Sequence, residues 1–235
     1  MTPFRRNLVR IIVLALFALA TGFGAISTAE AVSFTVDSVG DSFTTNWSLD
    51  ISGINGAPAG TILSGTASWT VSAFSSSSVT IGVNITNTTA APLSGHTGHI
   101  LGIGLYTSPD ATAAFSSTGT YFDGLGQGVN FPGGFNSVDV CVYSAQNCQG
   151  GNINLGLGEG VSDSFSLLFT NPSTGSFSGG LALDTFAVKF QGDYGSFEFP
   201  ANGNGRVSEP SPLLLLGTVL LVFGFFGRRL HPKRC

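Results

Sequence analysis

The chain has 235 residues, of which 43% are hydrophobic and only 9% are charged. So few charges exclude a coiled coil and a highly charged disordered protein, and the many Gly, Ser, Thr and Phe residues favour strands joined by tight turns. Between Ser33 and Gly205, Lys189 is the single basic residue against eleven acidic ones. Because this excess of negative charge repels phosphate backbones, nucleic-acid binding is not expected.

Residues 1–31 have the pattern of a secretory signal peptide. Three arginines between positions 5 and 10 precede an apolar run from Ile11 to Ala20, and Ala29 and Ala31 supply the small residues before a cleavage site after Ala31. An uncleaved membrane anchor is the alternative. Both interpretations predict that the rest of the chain is exported.

Residues 32–201 form the predicted ectodomain, in which apolar and polar residues alternate with the period of two that is typical of β-strands. The apolar members of successive runs are Trp47, Leu49 and Ile51; Ala67, Trp69, Val71 and Ala73; Val79, Ile81, Val83 and Ile85; Leu101, Ile103 and Leu105; Val138, Val140 and Val142; Phe165, Leu167 and Phe169; and Phe186, Val188 and Phe190. The second and third runs flank a turn at Ser75 to Ser78 and predict a hairpin. Seven or more strands with one apolar face each predict an all-β fold, an antiparallel, jelly-roll-like β-sandwich.

The edges of these strands have little protection against pairing with another chain. They are rich in Ser and Thr and poor in charge, whereas Lys is the usual guard of an edge strand. Glycines such as Gly102 and Gly104 are expected to loosen the register further. These features favour self-association.

Cys141 and Cys148 lie in the exported part of the chain with six residues between them, so a bond between them would close a loop of eight residues, and Cys235 lies in the predicted cytoplasmic tail. A disulfide between Cys141 and Cys148 suits an oxidising compartment. Metal ligation and a nucleophilic thiol are the alternatives, but no His or second Cys pair lies nearby in the sequence to support them.

Two segments carry residue types that bind metal ions, although no metal site is assigned to either. His96 and His99 would face opposite sides of a strand and share a metal only at a turn, so surface histidines are the favoured interpretation. The Gly-rich loop from Gly150 to Asp163 is the best candidate for Ca²⁺, which takes carboxylate, amide and backbone oxygens. Its spacing is not that of an EF-hand.

No residue is predicted to be catalytic. Glycoside hydrolysis needs two facing carboxylates, which sequence spacing cannot establish, and most ectodomain acids fit solvated turns. The acids considered are Asp110, Asp123, Asp139, Glu159, Asp163, Asp184, Asp193 and Glu198. Trp47 and Trp69 have the apolar phase of core residues, whereas Tyr121 and Tyr143 lie near Gly-rich loops and are better candidates for stacking on a sugar.

The C-terminal residues combine three features in a fixed order. A linker at 202–206 leads to Val207, Ser208, Glu209 and Pro210, then to an apolar segment at 213–227, and then to Arg228 and Arg229. The apolar segment is short for a bilayer, but its position before a basic tail favours a transmembrane helix with a cytoplasmic end over a buried core helix. Pro210 disfavours helix before it, so the preceding residues are predicted to be extended and accessible at the membrane surface.

This order resembles the PEP-CTERM sorting signal, in which a Pro-Glu-Pro motif precedes a transmembrane helix and a basic tail. Here Ser208 stands where the first Pro usually stands, while Glu209 and Pro210 are kept. The segments around Cys141 and Cys148 resemble the cistern subgroup of these proteins. The resemblance implies sorting by an exosortase in a Gram-negative bacterium, a transient membrane anchor, and association with extracellular polysaccharide.

The sequence therefore predicts an exported, non-enzymatic protein of the cell surface or extracellular matrix, of the kind found in biofilms. Two alternatives remain. A carbohydrate-binding module requires an exposed aromatic platform or a calcium loop, and a secreted glycan hydrolase requires two facing carboxylates in a cleft.

Overall fold

The structure is a computed structural model that describes residues 32–90, 98–173 and 176–201. In those residues the regular structure is β apart from two 3-10 turns, Ile54–Gly56 and Ile153–Leu155. The strands are β1 (Ser33–Val36), β2 (Ser42–Asp50), β3 (Ile62–Phe74), β4 (Ser78–Asn87), β5 (His99–Ser108), β6 (Thr112–Ser117), β7 (Gly124–Phe131), β8 (Phe135–Tyr143), β9 (Ser162–Thr170), β10 (Leu181–Gly192) and β11 (Gly195–Phe199).

The strands form two antiparallel sheets, as the alternation predicts. The six-stranded sheet has the order β1-β10-β5-β8-β7, with β11 beside the second half of β10, and the five-stranded sheet has the order β2-β3-β4-β9-β6. The predicted hairpin is β3 and β4, whose turn is closed by a bond from the Ser75 N–H to the Ser78 carbonyl. The all-β prediction is confirmed, and the arrangement is consistent with a β-sandwich.

The apolar faces of the two sheets meet in one core, where both tryptophans are buried as predicted. The Trp47 indole N–H donates to the Phe186 carbonyl in the opposite sheet at 2.6 Å, and that of Trp69 donates to the Thr45 hydroxyl at 3.0 Å. The ring of Phe186 also packs edge-on against Trp69. Each indole thus buries its apolar body while its one donor stays paired.

A bulge in β10 changes which side chains face the core. Thr185 and Phe186 have φ values of 71° and 41°, and the register with β5 shifts between Asp184 and Ala187. Leu181 and Leu183 point into the core before the bulge, and Phe186, Val188 and Phe190 after it. The inserted residue reverses which positions face the core, so the alternation before the bulge is out of phase with the alternation after it. The predicted apolar run begins only after this change of phase, whereas β10 begins five residues earlier.

Several predicted segments lie outside the described residues: the signal peptide at 1–31, the linker at 202–206, and the sorting signal at 207–235 with its transmembrane segment. The same is true of His96. In the residues that are described, no helix has both the length and the apolar character needed to cross a membrane.

Candidate functional site on the outer faces of the sheets

The outer surface of the five-stranded sheet, hereafter the hydroxyl face, consists of the residues that alternate with the buried ones. Strand pairing aligns these residues in rows across the sheet. One row is Thr44, Ser68, Asn84 and Ser164, and the next is Asn46, Thr66, Thr86 and Ser162. Strands lie about 4.8 Å apart and same-face residues about 6.7 Å apart along a strand, so the rows form a regular polar array.

Hydrogen bonds between strands fix part of this array. The Asn84 amide donates to the Ser164 hydroxyl at 2.7 Å, and the hydroxyls of Thr86 and Ser162 are 2.7 Å apart. Because these side chains hold one another, their remaining donors and acceptors have defined positions at the surface.

The hydroxyl face carries almost no charge. On the outer side of its described strands the one ionisable side chain is Asp50, at the end of β2, because Asp163 of β9 is buried and faces inward. The hydroxyl and then the backbone N–H of Ser52 donate to this carboxylate, and both bonds lower the pKa of Asp50. The face therefore offers hydroxyl and amide groups over its centre and a single negative charge at its margin.

The outer surface of the six-stranded sheet, hereafter the covered face, is filled by side chains from its own chain. Gly104 lies between Ala187 and Cys141 on the neighbouring strands, and a Cβ on Gly104 would lie 2.9 Å from the ring of Phe131. Gly104 thus provides the space for a buried aromatic ring, and the register between β5 and β10 shifts beside it. The side chains of Phe131, Val138 and Cys141 belong to a second hydrophobic cluster on this face.

The predicted disulfide between Cys141 and Cys148 is present and lies in the same cluster. Its Cα atoms are 6.1 Å apart. A Cβ on Gly126 would lie 3.0 Å from the Cys148 sulfur, so this glycine also allows a close approach. The disulfide loop is therefore part of the covering of the sheet.

An ion pair that the sequence did not predict lies beneath this covering. The Lys189 ammonium is 2.5 Å from the Glu198 carboxylate and donates to the Ser196 hydroxyl at 2.7 Å. The two charged side chains are only 4% and 8% exposed. Antiparallel pairing of β10 with β11 places Lys189 directly opposite Glu198.

Two glycines with positive φ approach this pair. A Cβ on Gly133 would lie 2.5 Å from the Glu198 Cβ, and a Cβ on Gly150 would lie 2.6 Å from the Lys189 Cε. Gly133 belongs to the β7–β8 turn, and Gly150 follows the disulfide loop. The one sequence signal for this site was that Lys189 is the single base between Ser33 and Gly205.

The carboxylates of the predicted calcium loop point to separate partners. Asp163 accepts hydrogen bonds from the backbone N–H groups of Thr120, Tyr121 and Phe122 at 2.8–2.9 Å. Glu159 accepts from the Gly98 N–H at 3.0 Å. In residues 32–90, 98–173 and 176–201, no three His, Cys, Asp or Glu side chains come together as metal ligands would.

Burial and two nearby carboxylates change the pKa of Tyr106, which lies near the end of β5. Burial, and then the negative charges of Asp139 and Asp184, raise the pKa of the Tyr106 phenol. Asp139 accepts from the Thr107 N–H at 2.7 Å, and Asp184 accepts from the Thr185 hydroxyl at 2.9 Å. A cavity of about 300 Å³ lies elsewhere, at the β1–β2 turn, and is lined by residues 34–37 and 41–43.

The two tyrosines predicted to contact sugars are half-buried rather than displayed on a platform. Tyr121 packs against the main core, and Tyr143 packs against the cluster of the covered face.

No protein-family model matches the chain, and neither a curated protein nor a solved structure is significantly similar to it.

Proposed function

We propose that this chain is an exported, non-enzymatic surface or matrix protein that an exosortase sorts through residues 207–235, and whose folded domain associates with extracellular polysaccharide. The observation that carries the polysaccharide association is the hydroxyl face. A disulfide in the folded domain supports an oxidising compartment, in agreement with export. The ordered features at both ends of the sequence support secretion across an inner membrane and a transient anchor.

The finer fold proposed for the ectodomain is a jelly roll. From β4 to β6 consecutive strands alternate between the two sheets, and β8, β9 and β10 alternate again. This alternation is typical of two Greek keys wrapped into a double sheet. The hairpin of β2 and β3 then extends the five-stranded sheet beyond the basic pattern.

The partner suited to the hydroxyl face is a neutral polysaccharide. Rows of hydroxyl and amide groups can donate to and accept from the hydroxyls of a glycan. An anionic polysaccharide would be repelled by a domain in which eleven acids oppose one base between Ser33 and Gly205. Each contact is weak, so binding depends on many sites along one polymer.

Affinity electrophoresis of the full chain through gels that contain a neutral β-glucan or alginate tests this association. We expect the neutral glucan to retard the chain and Ser68→Asp, in the middle of the hydroxyl face, to remove most of the retardation. Gln149→Glu adds the same charge on the exposed disulfide loop and is the matched control. Equal retardation of both variants, or retardation by alginate alone, would contradict the proposal.

The second candidate function is a carbohydrate-binding module that no exosortase sorts. In such a module the hydroxyl face, and not the expected aromatic platform or calcium loop, would contact the glycan. Mass spectrometry of the C-terminal peptide distinguishes the two in a strain that contains the sorting enzyme. We expect Glu209→Ala with Pro210→Ala to leave export intact and to retain the full-length form in the membrane. Asn202→Ala in the linker is the control. If the mature wild-type protein still carries residues 213–235, the sorting claim is wrong.

A further inference from the structure

Strand β2 is an open edge of the five-stranded sheet. Its nine residues, Ser42 to Asp50, pair with β3 in continuous register, and no described strand lies on its other side. The edges at β6 and β7 are each interrupted by a register shift, and β1 and β11 have only four and five residues. Among the edges of the described sheets, β2 is therefore the longest without a bulge.

The backbone groups that β2 presents to solvent follow from its bonds to β3. The Val71 N–H donates to the Asp41 carbonyl, and the Ile51 N–H donates to the Thr61 carbonyl, each at 2.9 Å. In an antiparallel pair, residues alternate between bonding to the partner and pointing away from it. Odd-numbered residues of β2 therefore bond to β3, and the even-numbered ones, from Ser42 to Asp50, direct their N–H and C=O groups outward.

Strand β2 also lacks the devices that keep an edge from pairing. It contains no Pro, Lys or Arg, and its single charge, Asp50, is at its last residue. A long, bulge-free and nearly uncharged edge is a template for another strand, because no strand of the described sheets pairs with its outward N–H and C=O groups.

We propose that two copies of the chain pair antiparallel through their β2 strands, about a two-fold axis at Asn46. This register places Ser42 opposite Asp50, Thr44 opposite Ser48, and Asn46 opposite its own copy. These are the even-numbered residues, so the outward backbone groups of both copies meet. Asp50 faces a hydroxyl instead of a second carboxylate, and all nine residues are paired.

The occupant of this edge is a second copy because the sequence of β2 complements itself in that register. On the inner side the register pairs Phe43 with Leu49, and on the outer side it pairs polar with polar residues. The two five-stranded sheets become one sheet of ten strands with a continuous hydroxyl face. This inference does not depend on the proposed binding of polysaccharide.

Disulfide trapping in the full chain tests the pairing. Hydrogen-bonded antiparallel partners have Cα atoms about 5.5 Å apart, within the range of a disulfide. In a Cys235→Ser background, we expect Asn46→Cys to give a covalent dimer on a non-reducing gel after mild oxidation. Asn84→Cys, the same substitution on the same face but on the central strand β4, is the matched control and is expected to stay monomeric.

Addition of Thr44→Pro to the Asn46→Cys chain tests whether the backbone carries the contact. Thr44 is an even-numbered residue, so proline removes an outward N–H and leaves the bonds to β3 in place. We expect at least a fivefold loss of dimer with unchanged tryptophan fluorescence. The proposed β2–β2 pairing is refuted if Asn46→Cys gives no dimer, if Asn84→Cys cross-links as well, or if the proline variant cross-links as much as Asn46→Cys alone.

Discussion

The two outer faces of this domain differ in their residues and in whether other parts of the chain cover them. On the covered face, Gly104 of β5 and Gly126 of β7 lie on either side of β8, and an aromatic ring and a disulfide fill the space over them. A buried ion pair lies close to two turn glycines on the same face. On the hydroxyl face, Ser, Thr and Asn occupy the equivalent positions, and in the described residues no segment lies over them. The covered face therefore contributes to stability, whereas the hydroxyl face is available for binding.

This difference also shows how the chain uses its few charges. Lys189 and Glu198 are enclosed with Ser196 as a hydrogen-bonding partner, so neither charge is left unpaired. A buried pair of this kind adds little net stability over apolar residues, but the removal of one partner leaves the other charge buried and unpaired. The covered face is therefore expected to be far more sensitive to single substitutions than the hydroxyl face.

The largest effect is expected from Lys189→Met, which leaves the buried Glu198 carboxylate without a cation. We expect the free energy of unfolding to fall by about 3–5 kcal/mol, measured by urea unfolding and tryptophan fluorescence. The double variant Lys189→Met with Glu198→Leu removes both charges and should recover most of that loss. A single variant within about 1 kcal/mol of wild type would show that water reaches the pair.

Loss of the disulfide is the next largest effect. Closure of an eight-residue loop is worth about 2.5 kcal/mol in the chain-entropy model, so Cys141→Ser with Cys148→Ser should lower the free energy of unfolding by about that amount. Cys235→Ser is the control and should change nothing. Alkylation before reduction should label neither Cys141 nor Cys148, and labelling of both would contradict the bond.

The strands that could be predicted from the sequence are those with uninterrupted alternation. Strands β3 and β4 show it over most of their length, and both tryptophans were assigned correctly to the core. The short strands β1, β6 and β11 and the Gly-rich β7 were missed because they have too few alternating apolar residues to give a signal.

The covered face could not be predicted because its contacts join residues far apart in the sequence. Phe131 fills the space over Gly104, and no residue close to Gly104 in the sequence indicates this contact. The bulge at Thr185 and Phe186 flips the alternation in β10 without a Gly to mark it. The hydroxyl face, in contrast, follows directly from the polar positions of strands whose alternation is regular.

A smaller effect is expected where the β7–β8 turn meets the ion pair. Gly133 and Gly134 have φ values of 76° and 90°, so alanine is strained at both positions. Only at Gly133 would the new Cβ meet another residue, 2.5 Å from the Glu198 Cβ, whereas nothing lies within 4 Å at Gly134. We expect Gly133→Ala to lower the free energy of unfolding by about 1–3 kcal/mol more than Gly134→Ala. Equal effects would mean that the turn does not press on Glu198.

The smallest effect is expected on the hydroxyl face. Ser164→Ala removes the acceptor of the 2.7 Å bond from the Asn84 amide, but Asn84 is exposed and water replaces the lost partner. We expect the free energy of unfolding to change by less than about 0.5 kcal/mol, as measured by the same urea unfolding. The variant should nevertheless weaken retardation by the neutral glucan, because it interrupts one row of the array. A loss of more than about 1 kcal/mol would show that the cross-strand bonds of this face stabilise the fold, and the contrast between the two faces would fail.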